Sequence, residues 1–163
     1  ASGYHAFNQG HLVGEVVRRI TGLSLGQFFA KEVAGPLGAD FHIGTPEDVD
    51  PRVATIEPPS GPLGGVELTD DGSIPARALR NPVVEATVSR RPEFRRAEMP
   101  ASNGHGNARA VATVQALVSN GGEAGGFRLL REAGLERIFD VQSVGHDLIL
   151  GVPNRRGIGF GLS

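Results

Sequence analysis

The stretch that decides the fold is Gly3 to Gly26, which reads GYHAFNQGHLVGEVVRRITGLSLG. Its apolar side chains recur at the spacing of one helix face, and they are Leu12, Val13, Val16, Val17 and Ile20. This period predicts an amphipathic helix from about Gly10 to Thr21. Arg18 and Arg19 suit the negative end of the helix dipole, and Gly22 is a suitable residue for the stop.

A second helix is predicted directly after the first. Ser24 is a favourable N-cap, and Gln27 three residues later completes a capping box. Leu25, Phe28, Phe29 and Val33 would form its apolar face. The pair Gly35-Pro36 predicts its end, because proline disfavours continuation of a helix.

The rest of the chain predicts short elements. Strands are expected at residues 41–44, 52–56, 147–151 and 157–162, the last two joined by a Pro153-Asn154 turn, and helices at 74–98 (broken by prolines), 107–119 and 132–139. Residues 57–72 are rich in Pro and Gly and predict a long loop. The pattern is α+β within part of one domain covering 1–163, mainly helical over about 1–125 and returning to a sheet over about 126–163.

Composition excludes several classes of function. The net charge of −2 and the scattered basic residues argue against nucleic acid as a partner. The absence of cysteine excludes a disulfide framework and a thiol nucleophile. No apolar run is long enough for a membrane span, and no signal-peptide pattern is present. The sequence does not set the compartment: a cytoplasmic location is favoured, and a signal peptide ahead of residue 1 is the alternative.

One motif suggests a nucleophile but has a simpler interpretation. Gly22-Leu23-Ser24-Leu25-Gly26 matches G-x-S-x-G, the nucleophile elbow of α/β-hydrolases. That elbow needs a strand before the serine, whereas a helix is predicted here. Ser24 is therefore interpreted as a helix cap, with the nucleophile as the alternative.

The five histidines do not have the spacing of metal ligands, so no metal and no other cofactor is predicted. His105 stands out because it lies in the polar, glycine-flanked stretch Ser102-Asn103-Gly104-His105-Gly106-Asn107. Glycines in such a turn permit close approach of a ligand to the backbone. We predict that Asn103 and His105 line a substrate cleft; the alternative is a turn in which Asn107 caps the next helix.

Tyr4 is the only tyrosine, and it lies in a turn that leads directly into the first helix. A lone tyrosine commonly serves amphipathic packing. A phenol can act as a base when a nearby cation favours its ionised form. Lys31 is the only lysine and is expected to be solvated beside Glu32, so such a cation would come from elsewhere.

The order of these motifs resembles the superfamily of serine β-lactamases, penicillin-binding proteins and class C-like esterases. The resemblance rests on the Gly-Tyr turn, the helix ending in Arg-Arg-Ile-Thr-Gly, the Ser-Leu-Gly-Gln-Phe-Phe and Gly-Pro-Leu-Gly segments, SNGHGNAR at 102–109, Asn120-Gly121-Gly122 and Gly157-Ile158-Gly159-Phe160-Gly161. It covers nearly the whole chain. It implies a β-lactamase-like fold, present in part: a helical subdomain plus part of an antiparallel sheet flanked by helices.

The resemblance also implies acyl transfer through a serine in S-x-x-K, with Tyr4 matching the tyrosine of the Y-x-N motif as general base and acid. Ala6 stands where that motif has asparagine, which favours an esterase over a true β-lactamase. None of the nine serines has a lysine three residues later. We therefore expect the nucleophile upstream of Tyr4 and an H/K-x-G strand beyond Ser163, in a longer polypeptide of which this chain is a segment, inactive alone.

The predicted function is thus a serine hydrolase acting on a small-molecule ester or acyl substrate, with the remainder of the polypeptide supplying the serine. The alternative is a penicillin-binding-like module that binds or scaffolds without turnover.

Overall fold

The structure is a computed structural model that describes residues 2–58, 72–80 and 82–163. Most of the predicted Pro- and Gly-rich loop at 57–72 therefore lies outside the described residues. Helices and small antiparallel strand pairs alternate along the described chain, which confirms the α+β prediction.

Helix α1 spans Asn8–Thr21, and Gly22 ends it in the left-handed conformation, as predicted. The face marked by the apolar period is largely uncovered: Leu12, Val16 and Ile20 are 69%, 57% and 77% exposed. The described part of the chain therefore leaves an apolar surface on this helix, and a contiguous surface of this kind marks a place where other protein packs.

Helix α2 spans Leu25–Phe29 and begins with the predicted capping box, because the Ser24 hydroxyl accepts from Gln27 N–H and the Gln27 side chain accepts from Ser24 N–H. The prediction that Gly35-Pro36 ends the helix is wrong. A π-helical segment, Ala30–Ala34, leads into α3, Gly35–Leu37, and Gly38 ends the run. Gly35 N–H donates to the Ala30 carbonyl oxygen in the π turn, and Pro36 lies in the first turn of α3, where a missing N–H is tolerated.

The remaining helices are short apart from α6. They are a 3-10 segment at Glu47–Arg52, α4 at Ile74–Leu79, a 3-10 segment at Ala86–Arg90, α5 at Pro92–Arg96, α6 at Ala108–Ser119 and α7 at Glu132–Ile138. Asn107 caps α6 by accepting from Ala110 N–H at 2.9 Å. The predictions of helices at 74–98, 107–119 and 132–139 are confirmed, since helical segments lie within each range.

Within the described residues, three pairs of antiparallel strands form the sheet elements. They are β1 (Phe41–Ile43) with β2 (Gly104–Gly106), β3 (Glu123–Ala124) with β4 (Phe127–Arg128), and β5 (Ser143–His146) with β6 (Pro153–Arg156). The predicted strand at 41–44 is confirmed. The predicted strand at 52–56 is wrong, because Arg52 ends the 3-10 segment and residues 53–58 are irregular.

The end of the chain is shifted relative to the prediction. Residues 147–150, predicted as strand, form the turn between β5 and β6, and the predicted Pro153-Asn154 turn lies in β6. Residues 157–162 are irregular apart from a single bridge between Arg156 and Gly161. The cause is Asp147, whose carboxylate accepts from Ile149 and Leu150 N–H and so closes a turn within the apolar run.

The buried core is small and built from aliphatic side chains. Val33, Leu117 and Ala124 are buried together, and they bring the π segment, α6 and β3 into contact. Partly buried side chains surround them: Phe29, Leu37, Val114, Ala116 and Phe127. No helix in the described ranges is both long and apolar enough to cross a membrane.

Glu98 fixes the start of α2 to a distant part of the chain. Its carboxylate accepts from the Ser24 hydroxyl at 2.5 Å and from Gly26 N–H at 2.9 Å. Gly26 is buried, and a Cβ there would lie 2.7 Å from Glu98 Oε1 and closer still to the Ile43 carbonyl oxygen. The first turn of α2 is therefore held by Glu98, a side chain more than 70 residues away in the sequence.

Asp50 joins the 3-10 segment to α5. It accepts from Arg95 Nε at 3.0 Å and from Arg96 Nη2 at 2.7 Å. Burial on its own would raise the pKa of Asp50, but the hydrogen bonds from Arg95 and Arg96 outweigh it and hold that pKa below its usual value. The ionised carboxylate therefore stabilises the folded chain at neutral pH.

Replacing Glu98 by Ala should lower the free energy of unfolding by about 1–3 kcal/mol, because the buried Gly26 N–H loses its acceptor. Chemical denaturation measures the change. The control is Glu136→Ala, an exposed glutamate in α7, which should shift stability by no more than about 0.5 kcal/mol. Equal losses in the two variants would contradict the role given to Glu98.

Replacing Asp50 by Ala should lower the melting temperature at pH 7 by on the order of 5 °C, because Arg95 and Arg96 lose their partner. A lowered pKa means that the contribution is complete above the ordinary carboxyl pKa and is lost as the pH falls through the folded value. The difference between wild type and variant should therefore close in acid. Thermal melts from pH 7 to pH 2.5 check this, and a gap that persists in acid would contradict it.

Candidate active site

Tyr4 lies between the β5–β6 hairpin and the start of α1. Its backbone N–H donates to Asp147 Oδ1 at 3.1 Å, and the preceding Ser2 carbonyl accepts from Leu148 N–H at 3.0 Å. The residue is 43% exposed, so the phenol is open to solvent on one side. The hairpin thus holds the backbone of Tyr4 while the side chain remains accessible.

His5 supports the entry to α1. Its Nδ1 accepts from Phe7 N–H and Asn8 N–H, both at 3.4 Å. These N–H groups belong to the first turn of the helix, which has no side-chain cap from its own N-cap residue. The segment that carries Tyr4 is therefore attached to the hairpin on one side and to the helix on the other.

A cleft of about 320 Å³ opens beside Tyr4. Its lining includes Tyr4, His5 and Gln9 from the start of the chain and Asn154, Arg156 and Phe160 from the end, together with glycines at 3, 157 and 159. The structure thus brings the two ends of the chain together around the predicted tyrosine. A cleft with an exposed phenol, a cation and an aromatic ring can accept a small polar molecule with an apolar part.

Arg156 lines the same cleft as Tyr4. Its Nε donates to Asn154 Oδ1 at 2.6 Å on the same strand. The positive charge of Arg156 contributes to the lowered pKa of Asp147.

Asp147 is 3% exposed and remains a carboxylate. The N–H of Leu150 has the largest effect and lowers the pKa of Asp147, burial opposes it, and the N–H groups of Tyr4 and Ile149 lower that pKa further. The net pKa lies below its ordinary value. The buried Asp147 carboxylate thus accepts three backbone N–H groups, one of them from Tyr4, and holds this part of the site in place.

His105 lies in a different cavity. The predicted polar turn at 102–107 is wrong for residues 104–106, which form β2 and pair with β1 so that His105 faces His42. A Cβ on Gly104 would meet the Phe41 ring at 2.5 Å, so the glycines admit this ring. His105 Nδ1 donates to the Asn103 carbonyl oxygen at 2.7 Å, and the side chain lines a cavity of about 330 Å³ with His42 and Arg52.

Asn103 is buried, with 2% of its surface exposed. Its Nδ2 donates to the carbonyl oxygens of Phe94, at 2.8 Å, and Ala97, and its Oδ1 accepts from Met99 N–H at 3.0 Å. Both amide protons are used within the loop from α5 to β2. Neither Asn103 nor His105 is among the residues that line the Tyr4 cleft.

Ser24 is a helix cap and not a nucleophile elbow. Its hydroxyl donates to Glu98 and accepts from Gln27 N–H, and a helix precedes it where the elbow requires a strand. Within residues 2–58, 72–80 and 82–163, no three His, Cys, Asp or Glu side chains are grouped so that they could hold a metal ion.

Asp147 and Arg156 were missed by sequence reasoning. A signal for Asp147 existed, since an aspartate followed by Gly151 within an apolar run favours an Asx-type turn. Nothing local distinguishes Arg156 from Arg155 beside it. Alternation along β6 decides which of the two lies beside the cleft, and that depends on pairing with β5.

Comparison with known proteins places these features in a family. The model of the beta-lactamase family matches residues 1–163. A curated relative, named esterase/beta-lactamase LipL, from Mycobacterium tuberculosis, is 35% identical over 138 residues, which are 79% of this chain and 32% of the relative.

Solved structures of similar proteins support the same family. A family VIII carboxylesterase is 38% identical with a TM-score of 0.86, covering 100% of this chain and 42% of its own. A penicillin-binding protein homolog from Caulobacter crescentus is 32% identical with a TM-score of 0.82, covering 99% and 42%. EstA from Arthrobacter nitroguajacolicus is 27% identical with a TM-score of 0.85, covering 99% and 44%.

The chain thus spans about a third of the curated relative and about two-fifths of these structures. The sequence resemblance to the β-lactamase and esterase superfamily is confirmed, and so is a β-lactamase-like fold present in part. With a family match over its whole length, this chain belongs to the beta-lactamase family.

Proposed function

We propose that this chain is part of a serine hydrolase that cleaves small-molecule esters, with Tyr4 as the residue that moves the proton. The observation that carries the proposal is the position of Tyr4, a partly exposed phenol in a cleft with Arg156. The tyrosine also stands where the sequence resembles the family's Y-x-N motif. Relatives named esterase and carboxylesterase support the same reaction class.

The nucleophile in this proposal is a serine outside residues 1–163. The Tyr4 oxygen takes the proton of that serine as the serine oxygen forms a bond to the acyl carbon. When the C–O bond to the alcohol breaks, the proton passes from Tyr4 to the leaving oxygen. Water then repeats the sequence on the acyl-enzyme and releases the acid, so that protons balance over one turnover.

The uncovered face of α1 supports a contribution from further polypeptide. Leu12, Val16 and Ile20 are exposed on the helix that directly follows Tyr4. Covering such side chains stabilises a fold by about 25 cal/mol per Å² of apolar area removed from water. We propose that the serine-bearing part of the polypeptide packs on this face and so reaches the Tyr4 cleft.

Ester substrates are favoured over lactams. Ala6 stands where the Y-x-N motif has asparagine, so this position offers no side-chain amide to a lactam.

A second candidate is a penicillin-binding-like module that binds ligands without turnover. It is favoured by the similarity to a structure described as a penicillin-binding protein homolog. The two candidates differ in one measurable respect, because only the first requires the Tyr4 hydroxyl.

Replacing Tyr4 by Phe in the full-length polypeptide should lower turnover of p-nitrophenyl butyrate about a hundredfold or more, as is typical for loss of an acid–base group. Thermal stability should be nearly unchanged, because the phenol makes no hydrogen bond to another described residue. The control is Ser119→Ala, which removes an exposed hydroxyl in α6 and should leave turnover unaffected. An inactive wild type would favour the binding module, whereas a fully active Y4F variant would contradict the role proposed for Tyr4.

Intact mass after treatment with a fluorophosphonate probe tests the location of the nucleophile. We expect one adduct on the full-length polypeptide and, after digestion, a labelled serine in a peptide outside residues 1–163. An adduct on Ser24 would contradict the assignment of that residue as a helix cap. Absence of any adduct on a folded, full-length protein would contradict the hydrolase proposal.

A further inference from the structure

The carboxylate of Asp147 collects three backbone N–H groups on a single oxygen. Oδ1 accepts from Tyr4 at 3.1 Å, from Ile149 at 2.9 Å and from Leu150 at 2.9 Å. Two of these donors close the β5–β6 turn, and the third comes from the other end of the chain. The same atom therefore shapes the turn and attaches the tyrosine segment to it.

This attachment is reinforced on the hairpin side. Ser2 and Asp147 form a parallel bridge, and Leu148 N–H donates to the Ser2 carbonyl oxygen at 3.0 Å. Gly3 packs against Ile149, since a Cβ on Gly3 would lie 3.3 Å from Ile149 Cγ1. The segment thus lies flat on the turn that Asp147 shapes.

The Tyr4 side chain has no comparable restraint. The residue is 43% exposed, and no hydrogen bond joins its phenol to another residue in the described ranges. The point from which the phenol extends is therefore set by the Tyr4 backbone, which is held by Asp147 on one side and by the His5 contacts to α1 on the other. Misplacement of a reacting group by about 1 Å can cost on the order of a hundredfold in rate.

We propose that Asp147 is a positioning residue for Tyr4, acting through one oxygen that holds the tyrosine backbone against the β5–β6 turn. The inference rests on the proposed function of Tyr4. It assigns the effect to the position of an acceptor atom and not to the negative charge, because Oδ2 has no hydrogen-bond partner among the described residues. An asparagine can offer its amide oxygen at the Oδ1 position, whereas an alanine cannot.

A direct test uses the fact that Tyr4 is the only tyrosine. Selective labelling of this chain with ¹⁵N-tyrosine gives one amide resonance, that of Tyr4. We expect its hydrogen exchange in the wild type to be at least about tenfold slower than in an unstructured peptide, as for a hydrogen bond to a carboxylate. Exchange at the unstructured rate, in a chain that circular dichroism shows to be folded, would overturn the proposal without any variant being made.

The variants separate position from charge. D147A should accelerate exchange of the Tyr4 amide about tenfold or more, whereas D147N should stay within about threefold of the wild type. The matched control is D50A, which removes a carboxylate that also accepts two hydrogen bonds but does not line the Tyr4 cleft. If D50A accelerates the exchange as much as D147A does, the effect is general destabilisation and the proposal is overturned.

Kinetics of the full-length polypeptide connect this contact to turnover. We expect D147A to lower kcat about tenfold to a hundredfold with KM within about threefold, and D147N to restore most of kcat. In the Y4F background D147A should have little further effect, because the group that it positions is already absent. A D147A effect of the same size in both backgrounds would overturn the inference.

The two failures are distinguishable. If Y4F is fully active, the proposed function fails, and the exchange data still decide whether Asp147 holds the Tyr4 backbone. If Y4F is impaired but D147A turns over normally, the function stands and the positioning role is wrong. If D147A does not fold, the wild-type exchange rate and the D147N variant still decide the outcome, since loss of kcat in D147N would assign the effect to charge.

Discussion

The structure depends on two carboxylates that accept backbone N–H groups from distant parts of the chain. Asp147 accepts from Tyr4, 143 residues away, and Glu98 accepts from Gly26, 72 residues away. A buried N–H without an acceptor is costly, and neither N–H has an acceptor in its own segment. These two contacts therefore decide where the tyrosine segment and the start of α2 are attached.

Close backbone approach compensates for a small core. The chain has no tryptophan, and among the residues that the structure describes the buried core cluster consists of Val33, Leu117 and Ala124. Glycines allow rings and carbonyl groups to approach where a side chain would not fit. Phe41 lies against Gly104 and Gly106, and the Ile43 carbonyl lies against Gly26. The glycine-rich composition is thus used for packing as well as for turns.

This use of glycine changes the meaning of the SNGHGN segment. As a sequence, a histidine between two glycines suggests a ligand-binding turn. In the fold, the glycines admit the Phe41 ring, and His105 faces His42 in a cavity separate from the Tyr4 cleft. The cleft is instead completed by Arg156 and Phe160 from the end of the chain. The residues that line the candidate site therefore come from the two ends of the sequence.

The sequence by itself determined the features that depend on neighbours a few residues apart. The extent of α1, the capping box of Ser24 and Gln27 and the Asn107 cap follow from periodicity and from hydrogen bonds within one turn. Family membership and the choice of Tyr4 followed from the order of such motifs. Only the tertiary structure decided the partners of Asp147 and Glu98, the pairing of β1 with β2, and the separation of His105 from Tyr4. The physical reason is that acceptors and strand partners are chosen among residues far apart in the chain, and no local window contains both members of such a pair.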